Sequence, residues 1–405
     1  MEVLEPRYHQ LYRYLQHEMV NGALASGPGD TFARYHNSDG SWQQHRGRLH
    51  QQILEEFQQR CQGLPRGGNA VLLTSGPPGA GKSTAQQMLA QRQGQDDELG
   101  RQLNQVHGVE LGDYVRLDPD EFKAALLRHG GFPPDAPRQA EIPGQPRLAP
   151  AEMAALVHRE SSTLNSAFER WARSQGYNLL YDGTMRDLGH AQRLLGNLRR
   201  EGYGQRLVVS VEVDRQTAVN QNALRWQYGR KAFDEGRDAY GGRMAPEPLI
   251  HTLYPAQPEL GGHSVGRLNA EIMVRDELAT ALIAIDRTNA GTQAARPYAQ
   301  LSDAQLRHQW AATVRGGNAQ GTLTALAMEM AAREQNRFAS DGMTIRITQP
   351  GTLSALPPTI GRAAAALARS SRGAAPSPRP GPQRPSTPPA PGSQPDHRHD
   401  HRRTR

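Results

Sequence analysis

Cysteine, lysine and long apolar runs are what this chain has least of. One cysteine, Cys61, in 405 residues leaves no internal disulfide to be made and suits a reducing compartment, so a cytoplasmic location is expected. No stretch of 18 apolar residues occurs, so no membrane-spanning helix and no membrane partner are expected. The first residues, MEVLEPRYHQ, include acids and lack an apolar stretch, so no secretory signal is expected either. Lysine occurs only three times, as Lys82, Lys123 and Lys231; the other 44 of 47 basic residues are arginine.

The formal charge of +7 points to no nucleic-acid groove. Residues 362–405 hold nine arginines against two aspartates and so carry the whole excess, which leaves the remainder near neutral. A polynucleotide backbone calls for a basic surface on the folded part, so nucleic acid is not an expected partner. The same tail has nine prolines between residues 376 and 395 and buries too little apolar surface to offset its chain entropy. Its His397, His399 and His401 read as a solvated polar terminus.

One of the scarce lysines sits in TSGPPGAGKST, residues 74–84, where Gly76, Gly81, Lys82 and Ser83 meet the pattern G-x-x-x-x-G-K-[ST]. An apolar strand precedes it and a helix follows. That context turns Gly76, Pro77, Pro78, Gly79, Ala80, Gly81, Lys82, Ser83 and Thr84 into a polyphosphate-binding loop, which by itself fits ATPases, GTPases, helicases and small kinases. Lys82 supplies a compact charge that arginine's planar fork replaces poorly.

Around this loop the chain reads as an α/β fold, a P-loop NTPase-type, mostly parallel sheet flanked by helices. Strands are expected at 69–75, 113–118, 177–182, 206–213 and 279–286, with helices over 149–176 and 187–202. Residues 1–66 read as a helical N-terminal region, 67–300 as the kinase domain, 301–353 as a helical C-terminal extension and 354–405 as a disordered tail. The proline-rich piece 132–149 reads as a surface loop or lid.

Charged residues expected at the carboxyl edge of the sheet decide what the loop is for. VRLDPDEFK sets Asp118 and Asp120 two apart where a strand turns into a helix; Asp120 is the expected proton acceptor for an attacking hydroxyl and Asp118 its helper. Both positions also suit a helix cap. YDGTMR brings Asp182, Thr184 and Arg186 to the same edge, although the Asp-Gly pair also suits a plain turn. Arg225 and Arg243 are candidates to close over a transferred phosphate.

The ordered set SGPPGAGKST, LDPDEF, VHRESS, YNLLYDGTMR, ALRWQYGR and GGRMAPEP resembles the zeta toxin family of P-loop kinases over roughly residues 45–290. The resemblance implies ATP-dependent phosphorylation of a hydroxyl of UDP-N-acetylglucosamine, with Lys82 on the ATP phosphates and Ser83 helping to hold Mg²⁺. It gives Asp120 as the base, Thr184 at the sugar, and Arg225 and Arg243 on the transferred phosphate. His158 and Glu160 fall on a helix bordering the acceptor pocket, with a looser match. The spacing between the two arginines is longer than in compact members, which leaves Arg230 and Arg237 as substitutes for Arg243. Family members are often restrained by a small helical antitoxin, a possible partner. Other acceptors, such as NAD, an antibiotic or a polynucleotide 5′-hydroxyl, fit the same machinery. A nucleotide-dependent switch without phosphotransfer would keep the loop and have no use for Asp120.

Overall fold

A seven-stranded sheet in the order β2-β3-β1-β4-β5-β7-β6 organises the protein. The strands are β1 (Ala70–Ser75), β2 (Tyr114–Leu117), β3 (Asn178–Tyr181), β4 (Gln205–Glu212), β5 (Ala281–Asp286), β6 (Arg337–Ser340) and β7 (Met343–Thr348). The computed structural model describes residues 3–133, 147–255, 262–287, 305, 308, 337–340 and 343–350. The tail 354–405 and most of the 132–149 loop lie outside the described residues.

The first five strands run parallel, as their apolar sequences require. β1 reads AVLLTS with every residue buried, and in register Leu72 sits between Leu180 of β3 and Leu207 of β4. Such continuous burial marks a central strand covered on both faces. The helices between strands supply the cover: α4 (Lys82–Gln93), α5 (Glu98–Val106), α6 (Pro119–Arg128), α7 (His158–Ser174), α8 (Leu188–Arg200), α9 (Arg215–Asp234), α10 (Glu247–Thr252) and α11 (Val265–Arg275). Asp118, Asp187, Asp214 and Ser264 cap four of them by accepting a backbone N–H.

Ahead of the sheet come α1 (His9–Asn21), α2 (Thr31–Tyr35) and α3 (Gln44–Arg60). They belong to one compact unit, Met1–Ala365, and are not a separate body. Tyr8 and Tyr12 pack on Trp226 of α9 at ring separations of 5.8 and 5.3 Å, and the three side chains anchor a second apolar cluster beside the sheet. Phe57 of α3 stacks on Phe122 of α6 at 4.1 Å.

All five expected strands are present, each within two residues of its expected ends. The helical reading of 301–353 needs correction at its end. Gln305 and His308 are helical, but 337–340 and 343–348 form an antiparallel hairpin that extends the sheet. The reason is tertiary: Ile345 pairs with Ile285 and is fully buried, so β7 completes the face that β5 would otherwise leave bare.

A buried polar cluster ties this hairpin to the sheet. Arg267 of α11 donates to Glu271 at 2.8 Å, and Arg346 of β7 donates to the same carboxylate oxygen at 3.0 Å. Glu212, at the end of β4, accepts from Ser264 N at 2.9 Å and Ser264 Oγ at 2.7 Å. Burial pushes the Glu212 carboxyl up to about 7 despite those two bonds and the Arg267 charge.

Two outcomes follow. Ile345→Ala should cost about 2–5 kcal/mol in urea unfolding of the whole unit; an unchanged midpoint would mean that β7 is not part of the core. Glu212 has a folded pKa above its unfolded value, so its contribution is full below about 4.5 and is lost as pH rises through about 7. Unfolding free energy should therefore decline over that window, and Glu212→Gln should flatten the decline.

Candidate active site

Strand β1 ends at Ser75, and the chain turns through residues 76–81 into α4. Two glycines make the turn possible. Gly76 has φ of 143° and lies against β4, where a Cβ would come 2.5 Å from Val211 O. Gly79 has φ of 85°, and a Cβ there would come 2.6 Å from Ala218 O of α9. The loop is therefore pressed against its neighbours on one side, and within it Ala80 N donates to Pro77 O at 3.1 Å. Lys82 arches back so that Nζ donates to Gly76 O at 3.1 Å. Burial lowers its pKa, opposed by the nearby Asp182 carboxylate.

This loop forms part of the wall of a cavity of about 940 Å³, at the upper end of the range for ligand pockets. Of the expected ATP-binding residues, Pro78, Gly79, Ala80, Gly81, Lys82, Ser83 and Thr84 line it, whereas Gly76 and Pro77 shape the turn behind. Asp118, Asp120, His158, Asp182, Thr184, Arg186, Arg225 and Arg243 line the same cavity. The sheet explains the convergence, because β1, β2 and β3 run parallel and all deliver their carboxyl ends to this edge.

Asp120 sits in the first turn of α6 between two cations. Lys123 Nζ lies 2.8 Å from one carboxylate oxygen and Arg243 Nη1 lies 3.2 Å from the other. Burial alone would raise its pKa, but Lys123, Arg243 and Arg225 hold it at about 2. Asp118 has the opposite environment. It caps α6 by accepting from Asp120 N at 2.9 Å, and burial with the Asp120 and Asp182 carboxylates pushes it up to about 6. Asp118 thus caps the helix and also lines the cavity. Asp182 accepts from Thr74 Oγ1 at 2.8 Å and pairs with Arg116. Burial lowers the pKa of Arg225, and so does the charge of Arg243 beside it. The Asp120 carboxylate offsets both guanidinium charges in part, pairing with Arg243 and acting on Arg225 electrostatically.

The loop after β3 is fixed from behind. Asn269 donates to Met185 O at 2.8 Å and to Arg186 O at 3.2 Å, and Met185 takes a left-handed φ of 51°. Thr184 and Arg186 are thereby presented to the cavity.

Glu160 is not brought to the cavity. It is fully buried and binds Arg46 through both carboxylate oxygens at 2.6 Å and His50 at 2.5 Å. It lies two residues from His158, on the opposite side of α7, the one that faces α3, so it staples the N-terminal helices to the domain. The substitutes for Arg243 also fall elsewhere: Arg230 is buried against Glu152 and Asp234, and Arg237 pairs with Glu235 at the surface. Contributors without an assignment in the sequence include Lys123, Arg116, Met19 and Val20. The scarcity of lysine was the available signal for Lys123, three residues after Asp120. Nothing in the sequence pointed to Met19 or Val20, which reach the cavity only through the packing of α1 on α9.

Among the described residues no three His, Cys, Asp or Glu side chains form a metal-binding group. The oxygen donors of Ser83, Asp118 and Asp182 on the same wall suit a hard cation that a polyphosphate brings with it. No helix among the described residues is long and apolar enough to cross a membrane.

Residues 56–248 match the family model described as Zeta toxin. No curated protein sequence matches the chain. Similar solved structures include AvrRxo1-ORF1:AvrRxo1-ORF2 with sulphate ions, at 15% identity over 76% of this chain and 90% of that one, with a TM-score of 0.40. The same pair with ATP matches at 16% identity over 76% and 95%, also at 0.40. The PezAT chromosomal toxin–antitoxin system of Streptococcus pneumoniae matches at 13% identity over 59% and 78%, at 0.37.

The buried staple yields a direct test. Glu160→Ala would leave Arg46 and His50 buried without their counter-charge and should destabilise the protein by about 3–5 kcal/mol in chemical denaturation. Loss of turnover at full stability would instead return Glu160 to the acceptor pocket.

Proposed function

With residues 56–248 belonging to the zeta toxin family, we propose that this protein transfers the γ-phosphate of ATP to a hydroxyl of a sugar nucleotide, UDP-N-acetylglucosamine, and acts as a toxin by draining that precursor. The observation that carries the reading is the sharing of one cavity by the phosphate loop, an ionised Asp120 and the Arg225–Arg243 pair. A nucleotide switch needs the first of these and has no use for the other two.

In this reading the backbone of residues 76–81 and Lys82 hold the ATP phosphates, and Arg225 and Arg243 take up the charge that spreads over the moving phosphoryl group. Ser83, with Asp118 and Asp182, would hold Mg²⁺, which supplies neutralisation of the phosphate charge when bound. Asp120 orients the acceptor hydroxyl and receives its proton as the new P–O bond forms and the bond to the ADP leaving group breaks. Its pKa of about 2 keeps it ionised but a weak base. A phosphate that draws Arg243 away removes one of the cations holding it down, so its basicity rises when the donor is in place. His158, Thr184 and Arg186 meet the acceptor. A small helical antitoxin that obstructs the ATP site is the proposed partner, on the family resemblance alone.

The test is an acceptor screen with γ-labelled ATP and Mg²⁺ against UDP-N-acetylglucosamine, NAD and a 5′-hydroxyl oligonucleotide. Label should appear on UDP-N-acetylglucosamine and vanish with Lys82→Ala. Asp120→Asn should bind ATP normally while turnover falls about 10²–10⁴-fold. Label on another acceptor would keep the kinase and discard the sugar nucleotide. ATP binding with no transfer to any of the three would favour the switch.

A further inference from the structure

Four residues on the lining of the active-site cavity, Met19, Val20, Ala25 and Ser26, come from the N-terminal segment and lie outside the stretch that matches the family model. They belong to a strap that is tied down on both sides of the cavity. On one side Tyr12 Oη donates to Glu247 at 2.9 Å, Gln16 donates to Met244 Sδ at 3.2 Å, and Glu247 N donates to Gln16 at 2.7 Å. On the other side Ser26 Oγ donates to Ala155 O at 2.9 Å, and the buried carboxylate of Asp30 accepts from Arg159 at 2.7 Å. The strap thus runs from the loop that follows Arg243 to the turn that leads into His158.

Its chemistry differs from that of the rest of the lining. The cations of the cavity gather around the phosphate loop and Asp120, whereas the strap presents a thioether and methyl groups that continue into Ala151, Ala154 and Ala155. The Ser26 hydroxyl already donates to Ala155 O. Val20 is 41% exposed and lines the cavity beside Met19 and Ala25, so an apolar stretch of the wall is left open to a ligand. The position of this surface decides which substrate meets it. Ala154 and Ala155 lead directly into His158, which lies within electrostatic reach of Lys123 and Asp120, the group that faces the attacking hydroxyl.

The geometry points to the strap as the specificity wall of the acceptor site: Met19, Val20 and Ala25 pack against the uncharged, flat end of a nucleotide acceptor while its phosphates turn to the cations. This rests on the kinase reading and adds to it that an N-terminal segment outside the family match selects the acceptor. An acceptor that is charged throughout finds no counter-ion on the strap, and a small alcohol leaves the wall uncovered.

Val20→Asp and Ala25→Trp test it, the first by placing a charge on the wall and the second by filling the space before it. Both positions are at least partly exposed, so thermal unfolding of both variants should stay close to that of the wild type. Transfer kinetics are measured on whichever of UDP-N-acetylglucosamine, NAD or a 5′-hydroxyl oligonucleotide the wild type labels. The KM for that acceptor should rise about ten-fold or more in each variant, with the KM for ATP unchanged, and Val20→Leu should restore it. An active wild type with unchanged acceptor KM in both variants overturns the wall and spares the kinase. A rise confined to the KM for ATP overturns it in favour of a donor-side role. Preference for the oligonucleotide over both nucleotides would also overturn it. A wild type that labels none of the three overturns the kinase reading, and the wall with it.

Discussion

Everything at this sheet edge depends on holding several cations together before any phosphate arrives. Lys82, Lys123, Arg225 and Arg243 converge on one partly desolvated cavity, where like charges repel strongly. Carboxylates make the arrangement bearable. Asp120 stands between Lys123 and Arg243, and Asp182 lies within electrostatic reach of Lys82. The cost is visible in both directions, since the pKa values of Lys82 and Arg225 are pushed down while that of Asp118 is pushed up. A polyphosphate relieves this frustration, and a pocket arranged in this way is complementary to charge that arrives with the substrate.

The scaffold answers that constraint with buried ion pairs placed away from the cavity. Glu160 with Arg46 and His50, Glu152 with Arg230, and Glu271 with Arg267 and Arg346 each sit at a junction between elements. Such pairs add little net stability relative to apolar packing, but breaking one is expensive, so they fix which helix sits where. The three junctions attach α3 to α7, α9 to the segment before α7, and the C-terminal hairpin to α11, which packs on the sheet. Its carboxyl edge then keeps its geometry when α6 and the Arg243 loop bear mutual repulsion.

Legibility in the sequence followed the range of the interaction concerned. The five parallel strands were readable because each is a short apolar run with its own turn signals, and the phosphate loop because its glycines and lysine are local in sequence. Asp120, Asp182 and Arg186 were readable as strand-end residues, since a parallel sheet sends all such ends to one edge. Glu160 was misread because a helix of period 3.6 separates residues two apart by nearly 200°, so His158 and Glu160 cannot face the same pocket. The hairpin at 337–348 escaped notice because its strand character comes from Ile345 meeting Ile285, a contact across sixty residues. Arg243 and Arg230 could not be told apart by spacing alone; burial against Glu152 separates them.

On the proposed kinase reading, the packing of α1 joins acceptor specificity to catalysis through one body. Tyr12 and Gln16 hold Glu247 and Met244, and Met244 is the immediate neighbour of Arg243. The same helix continues into Met19 and Val20 on the cavity wall. A displacement of this helix therefore cannot change the acceptor wall without also moving the arginine that pairs with Asp120. An acceptor that fits the wall leaves α1 seated and Arg243 in position for the phosphate. One that does not fit must push against Tyr8 and Tyr12 packed edge-on and tilted against Trp226, and well-packed aromatic clusters yield only at a cost of several kcal/mol. Discrimination by this device falls on turnover as well as on binding, because a poorly fitting acceptor meets a misplaced Arg243.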